Sequence, residues 1–254
     1  MSDPATRAIA FLLDGPMQSW GSSSRFTRRE TEAFPTKSAL IGLIAAAAGI
    51  DKYADDEADK LAPFSALRLT VYRLPRKSGQ LVGRLADFHT VGGGYDVKAS
   101  AFDKMSIPRK ASGGASANAV ITHRTYLTEA RFIAAFHGPA DVIERVARHL
   151  ENPVWGLWFG RKTCLPAMPL SPVSGENSHA ASTALIGRIR TWEETTHRHS
   201  IPSDLDSTHL ERWEEPAGDQ LQPGDFHLHD QPVTFGLREF HTRPIRHHPA
   251  NEAP

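Results

Sequence analysis

The sequence predicts an α+β fold in which helices cover one face of an antiparallel sheet, and three observations carry that expectation. Short apolar or alternating runs recur at strand length, and two segments carry Pro at their start or Gly past their end, as helices do. The two kinds of segment alternate through the first 150 residues.

Arg7 to Asp14 is an apolar run closed by Gly15-Pro16, which predicts a buried strand. A polar loop, Met17 to Ala33, follows. Pro35, Thr36 and Ser38 then open a helix that ends at Gly49, and its apolar residues on almost every face predict that it is buried. Asp55 to Leu61 reads as a second, short helix. Leu67 to Leu74 alternates with the period of a half-buried strand, and Leu81 to Val91 reads as its hairpin partner. Arg131 to Phe136 is a further strand. In Pro139 to Leu150, a helix begun by Pro, Val142, Ile143, Val146 and Leu150 share one stripe. Strand–helix–strand, extra strands, then strand–helix is the order of ferredoxin-like, or RNA-recognition-motif-like, domains.

Two stretches interrupt this plan. Gly92 to Ala119 places Lys98, Lys104, Arg109 and Lys110 between two glycine clusters, and a loop of that length predicts a protruding basic arm that orders on a partner. Thr191 to Gln231 is acidic and aperiodic, and reads as an irregular excursion. Ala180 to Arg190 fits either helix or strand. Gln231 to Phe240 alternates as a late strand, and His247 to Pro254 is expected to fray. The division expected is a domain over 1–153, with the insertion at 92–119, and a smaller β-rich part over 154–254.

Composition limits the function. The chain has 254 residues, 40% hydrophobic and 23% charged, so wholesale disorder is excluded. No apolar run reaches the ~20 residues of a membrane span, and no secretory signal is visible, which points to a cytoplasmic protein with no membrane partner. Cys164 is the one cysteine, so there is no internal disulfide and no thiolate cluster. The net charge is zero, yet residues 1–190 hold 24 Lys+Arg against 17 Asp+Glu, while 191–254 hold 5 against 12. A polyanion responds to local potential over about a Debye length, ~8–10 Å, so the first three quarters can offer a basic face.

Three segments suit phosphate. The first loop carries Gln18, Trp20, Ser22, Arg25, Arg28 and Arg29, which supply guanidinium forks, hydroxyls and an indole for stacking. The helix start Thr36-Lys37-Ser38 adds unpaired N–H groups and partial positive charge. Gly160-Arg161-Lys162-Thr163 sets two cations beside Gly and Thr without the glycine spacing of a Walker A loop. Nine of thirteen histidines lie between His179 and His248; their His-x-His pairs occupy irregular or edge segments, which favours surface histidines over a metal site at His227, His229 and Asp230. His89, before the glycine hinge, suits a base or an RNA contact. No nucleophile elbow is present.

The block Leu13-Asp14-Gly15-Pro16-Met17-Gln18-Ser19-Trp20-Gly21, followed by Phe34-Pro35-Thr36-Lys37-Ser38-Ala39-Leu40-Ile41-Gly42-Leu43-Ile44-Ala45, closely resembles the opening of the CasD family, the repeat-handle-binding subunits of type I-E CRISPR Cascade complexes. Asp87-Phe88-His89-Thr90-Val91, Arg124-Thr125-Tyr126-Leu127, Phe159-Gly160-Arg161-Lys162-Thr163-Cys164 and Arg238-Glu239-Phe240 with Arg243 are similar and in the same order; Ser174 to Gln231 aligns least. The resemblance implies a non-catalytic subunit of an antiviral surveillance complex. Such a subunit has a ferredoxin-like domain with a thumb, here 92–119. It caps the backbone filament and holds the 5′ handle of the CRISPR RNA. The partners implied are that RNA, the backbone and large subunits and, through the complex, target DNA, with no cofactor and no metal. Residues and resemblance together nominate Gln18, Trp20, Ser22, Arg25, Arg28, Arg29, Thr36, Lys37, Ser38, His89, Lys98, Arg109, Lys110, Arg124, Arg161 and Lys162 as the RNA-binding set. The competing expectation is a metal-independent endoribonuclease that cuts the repeat, recruiting His89, Lys98, His123 or Tyr126.

Overall fold

Alternation along the first strand dictates the layering. The computed structural model describes residues 5–22, 27–75, 82–91, 119–196, 201, 205–218 and 221–250. In β1 (Thr6–Asp14), Ile9, Phe11 and Leu13 face one way, Ala8, Ala10 and Leu12 the other, and all are buried. Both faces of the sheet must therefore be covered, which corrects the expectation of helices on one face only.

The first face carries α1 (Lys37–Ala48), α2 (Glu57–Ser65) and α3 (Ala140–Glu151). α1 contributes Leu40, Ile41, Leu43 and Ile44, and ends on Gly49 at φ 71°, a left-handed cap whose N–H reaches the carbonyls of Ala45 and Ala46. α3 buries the expected stripe of Val142, Ile143, Val146 and Leu150. The second face carries α4 (Ser178–Thr195), which lays Ala181, Leu185, Ile186 and Ile189 on Ala8, Ala10, Leu12 and Ile133. The Asn177 side chain caps α4 by accepting from the Ala180 N–H at 2.9 Å. The segment left open between helix and strand is thus helical, and the helix runs into the stretch expected to be irregular.

That acidic stretch also supplies a 3-10 turn, Ser207–His209, and β9 (Arg212–Glu214). With β4 (Arg68–Arg73), β7 (Arg131–Pro139), β8 (Val173–Gly175), β10 (Phe226–Thr234) and β11 (Glu239–His248), the main sheet has the order β10-β11-β9-β4-β7-β1-β8, antiparallel at every pairing. The 154–254 part therefore adds strands to both edges of one shared sheet, and through α4 covers its second face. The expected single late strand is a hairpin that turns within it. His247 and His248, expected to fray, fasten β11 to β9: they lie 2.9 and 2.8 Å from Glu211 and Glu214 carboxylates, and His247 stacks on Trp213, itself stacked on Phe34. Among the described residues no helix is long and apolar enough to cross a membrane.

A smaller sheet projects from this body. β6 (Val120–Thr128) pairs along its length with β5 (Gly83–Val91), so β5 partners β6 and not β4. The other edge of β6 takes β2 (Met17–Gln18) antiparallel and β3 (Arg28–Arg29) parallel. The expected arm lies outside the described residues except for Ala119.

Candidate nucleic-acid interface

The polar loop after β1 folds inward before it reaches the surface. Gln18 is fully buried; its amide donates to the carbonyls of Leu13 (3.0 Å) and Ala130 (2.9 Å) and accepts the Trp20 indole N–H (3.0 Å). Trp20 is also fully buried, tilted against Phe159 at 5.9 Å. Gln18 fastens the β1–β2 turn to the turn between β6 and β7, so these two residues, expected to meet RNA, belong to the core.

The helix start is a second correction. The N–H of Lys37 donates to Asp230 at 2.6 Å, so the chain's own carboxylate occupies the site expected for phosphate. Thr36 is fully buried, and Lys37 is 1% exposed with its ammonium 3.0 Å from Glu215. Arg243 completes the cluster, with Nε and Nη2 on Asp230 at 2.6 and 2.9 Å and Nη1 on Glu215 at 3.2 Å. Burial pulls the Lys37 pKa below the ordinary lysine value, against the pull of Glu215. This balanced set locks α1 to the C-terminal strands. It also engages Asp230 fully, while His229 is hydrogen-bonded to Thr242 at 3.1 Å.

What remains outside converges. Ser19, Gly21, Arg29, Ser38, Gly160 and Arg161 line one open cleft of about 450 Å³, floored by Gly42 and Ala46 of α1 and walled by Trp158, Phe235 and Phe240. The first loop, the helix start and the Gly-Arg-Lys turn thus meet in one place. The turn is seated by Ser19 N–H donating to Phe159 O at 3.0 Å, and a Cβ at Gly160 (φ 90°) would lie 1.8 Å from Ser19 O. Arg161 is half-buried. Its guanidinium covers the Tyr126 ring at 4.6 Å and donates to Thr125 O (2.8 Å) and Arg29 O (2.6 Å), clamping β3 to β6. Lys162 is exposed, 5.6 Å above Trp158.

The small sheet extends the basic surface. Arg29 and Arg124 share a register position, so both lie on the face that also carries Tyr126 and Arg161. Arg28 is exposed on the opposite face, beside His123. Ser22 donates to the Glu32 carboxylate and Ser38 is half-buried at the cleft. His89 sits 3.9 Å from Asp87. Arg25, Lys98, Arg109 and Lys110 lie outside the described residues. Of the groups nominated for cleavage that lie among the described residues, His89 pairs with Thr122 and therefore faces away from His123, and Tyr126 is buried beneath Arg161.

Ser207, His179 and Asp206 also lie together, with the Ser207 hydroxyl 2.6 Å from His179 Nδ1. Ser207 is fully buried and its hydroxyl also meets Thr183 at 3.0 Å, so the group fastens the 207–209 turn to α4. Cys164 is fully buried in the cleft-forming turn, and burial raises its thiol pKa above the ordinary 9.0, outweighing hydrogen bonds from Thr163 and Arg161. A raised thiol pKa means the folded chain keeps the proton longer than the unfolded one, so the contribution is complete below pH 9.0 and is lost as pH rises beyond it. At pH 8 the native chain is expected to react with a disulfide reagent far more slowly than the urea-unfolded chain; equal rates would refute the buried thiol.

Sequence reasoning missed Phe235, Phe240 and Trp158 as cleft walls. Their signal, aromatic side chains beside turn glycines, is equally that of ordinary core. Comparison with known proteins fits this geometry. A family model described as CRISPR-associated protein (Cas_Cas5) matches residues 8–247. The CRISPR system Cascade subunit CasD of Escherichia coli (strain K12) is 30% identical over 171 residues, 64% of this chain and 68% of that protein. A chain of a CRISPR RNA-guided surveillance complex superposes with a TM-score of 0.66 at 25% identity, covering 96% of this chain and 90% of that one. The crystal structure of a Cas protein superposes at 0.54 and 21% identity, covering 96% and 98%, a likeness of fold.

Proposed function

Because the chain belongs to the CRISPR-associated Cas5 family, we propose that it is a non-catalytic subunit of a CRISPR surveillance complex that holds the 5′ repeat handle of the CRISPR RNA in the cleft between α1 and the 160–162 turn. The observation that carries this reading is the convergence of Arg29 and Ser38 with Gly160-Arg161, which lie more than 100 positions further along the chain, on one cleft. Single-stranded RNA suits such a surface, because its phosphates set the register on cations while its unpaired bases remain free to stack. The succession β1, α1, β4, β7, α3, β8 with spatial order β4-β7-β1-β8 supports a ferredoxin-like centre, to which β9, β10 and β11 are added.

The β5–β6 ribbon supports contact with a neighbouring backbone subunit. Leu85, Phe88, Val91, Val120 and Ile121 are each more than 40% exposed on it, and the 92–119 insertion continues from its end. On this reading the ribbon helps to cap the filament, the large subunit is a further partner, and target DNA is met only through the assembled particle.

Lys162 gives a cleaner test than Arg161, which braces β3 against β6 through two main-chain carbonyls. Lys162→Ala is expected to weaken binding of a repeat-derived single-stranded RNA about threefold to tenfold at low salt. It should also reduce the slope of log K against log salt by about 0.7, one phosphate contact. A filter-binding titration with an unchanged slope would remove Lys162 from the interface. Intact RNA after incubation in EDTA is the expected result for the non-catalytic role; one discrete cut would overturn it.

A further inference from the structure

Beyond the cleft, the same wall continues into a second recess of about 570 Å³, lined by the small-residue face of α1 and by Trp155, Phe235 and Phe240. The two spaces share Gly42, Phe235 and Phe240, so they form one continuous depression. Phe235 packs over Gly42, where a Cβ would touch its ring at 3.5 Å. Phe235 and Phe240 meet edge to face at 6.2 Å, and Trp155 is 46% exposed although its backbone N–H is fastened to Ala46 O at 3.2 Å. The exposed cations Lys52 and Arg238 complete the lining.

Resting on the reading of the cleft as an RNA channel, we infer that this recess is a base-stacking bay, which takes one unpaired nucleobase of the handle against Trp155 while Lys52 and Arg238 meet the flanking phosphates. The chemistry favours a nucleotide over an apolar protein anchor, because aromatic walls with two cations match a planar ring joined to an anion. Arg238 is held at φ 59° in the β10–β11 turn, which sets its place at the recess by backbone geometry. The Glu57 carboxylate accepts from the Phe235 N–H (2.8 Å), the Gly236 N–H (3.1 Å) and the Thr234 hydroxyl, so the turn that bears Phe235 and leads into Phe240 is anchored on α2. A bay with a braced wall loses little freedom when a base enters.

The test uses the full chain and repeat-derived single-stranded RNAs, each with 2-aminopurine at one handle position. One position is expected to lose most of its fluorescence on binding and to regain it in Trp155→Ala, with about tenfold weaker binding in that variant and recovery in Trp155→Phe. Lys162→Ala should weaken binding while leaving the quenched position quenched at saturation. Binding by the parent chain with no quenched position, and Trp155→Ala affinity unchanged, would overturn the bay and leave the cleft standing. A Trp155→Ala change that spares RNA affinity but removes a protein neighbour from the purified complex would also overturn it. No binding of any of these RNAs by the parent chain would end both readings.

Discussion

Asp230→Ala is expected to destabilise the fold by about 3–5 kcal/mol, read as a lowered urea midpoint, because it leaves one half-buried carboxylate, Glu215, for two buried cations. Asp230 is 1% exposed and accepts three bonds, from the Lys37 N–H and from two nitrogens of Arg243. Its loss orphans the first turn of α1 and leaves Lys37 and Arg243 to share Glu215. A pH series provides an independent check. Lys37 has its pKa lowered in the folded chain by burial, so the folded state releases that proton before the unfolded state does, and stability climbs as pH rises toward the ordinary value of 10.5. Asp230 is one of the charges that raise the Lys37 pKa. The climb should therefore be steeper in Asp230→Ala than in the parent chain. A midpoint shift worth less than about 1 kcal/mol would mean that water screens the cluster, and that the helix start is open to an external anion after all.

Gly160→Ala is expected to cost roughly 3–5 kcal/mol and to abolish the cleft's affinity for single-stranded RNA at the same time. Two effects add: a left-handed backbone at φ 90° that alanine resists, and a methyl group placed 1.8 Å from a main-chain oxygen that cannot move alone. Relief requires the 159–164 turn to part from Ser19, which breaks the 3.0 Å bond from Ser19 to Phe159 and displaces Arg161 from Tyr126. Lys162→Ala removes a charge and leaves this packing in place, so the pair separates electrostatic loss from collapse of the cleft. Melting of Gly160→Ala within about 0.5 kcal/mol of the parent chain would contradict the close approach of the two loops.

Local chemistry made much of the fold legible. The α1 boundaries came from Pro35 and Gly49, and the stripe of α3 from a spacing that only a helix places on one face. The buried β1 followed from an unbroken apolar run. The candidate site was legible as three segments of suitable chemistry, and the structure gathers all three on one cleft. Within those segments, individual roles were not legible. Gln18, Trp20, Thr36 and Lys37 have the composition of an RNA contact and the burial of a core, because their partners Ala130, Asp230 and Glu215 lie far along the chain.

The amino-acid order alone therefore determined α1, α2 and α3, the strands β1, β4, β5 and β7, the family and the segments that line the candidate cleft, since each rests on contacts within a few residues or on a pattern readable in one dimension. Tertiary structure decided which polar groups face water. A lysine or a helix N-terminus is a phosphate site only while no internal carboxylate reaches it, and here Asp230 and Glu215 arrive from the C-terminal strands and the segment beside them. Folding brings those charges within hydrogen-bonding distance across a separation that no local pattern records, and in a desolvated cluster the nearest counter-charge settles the role of each residue.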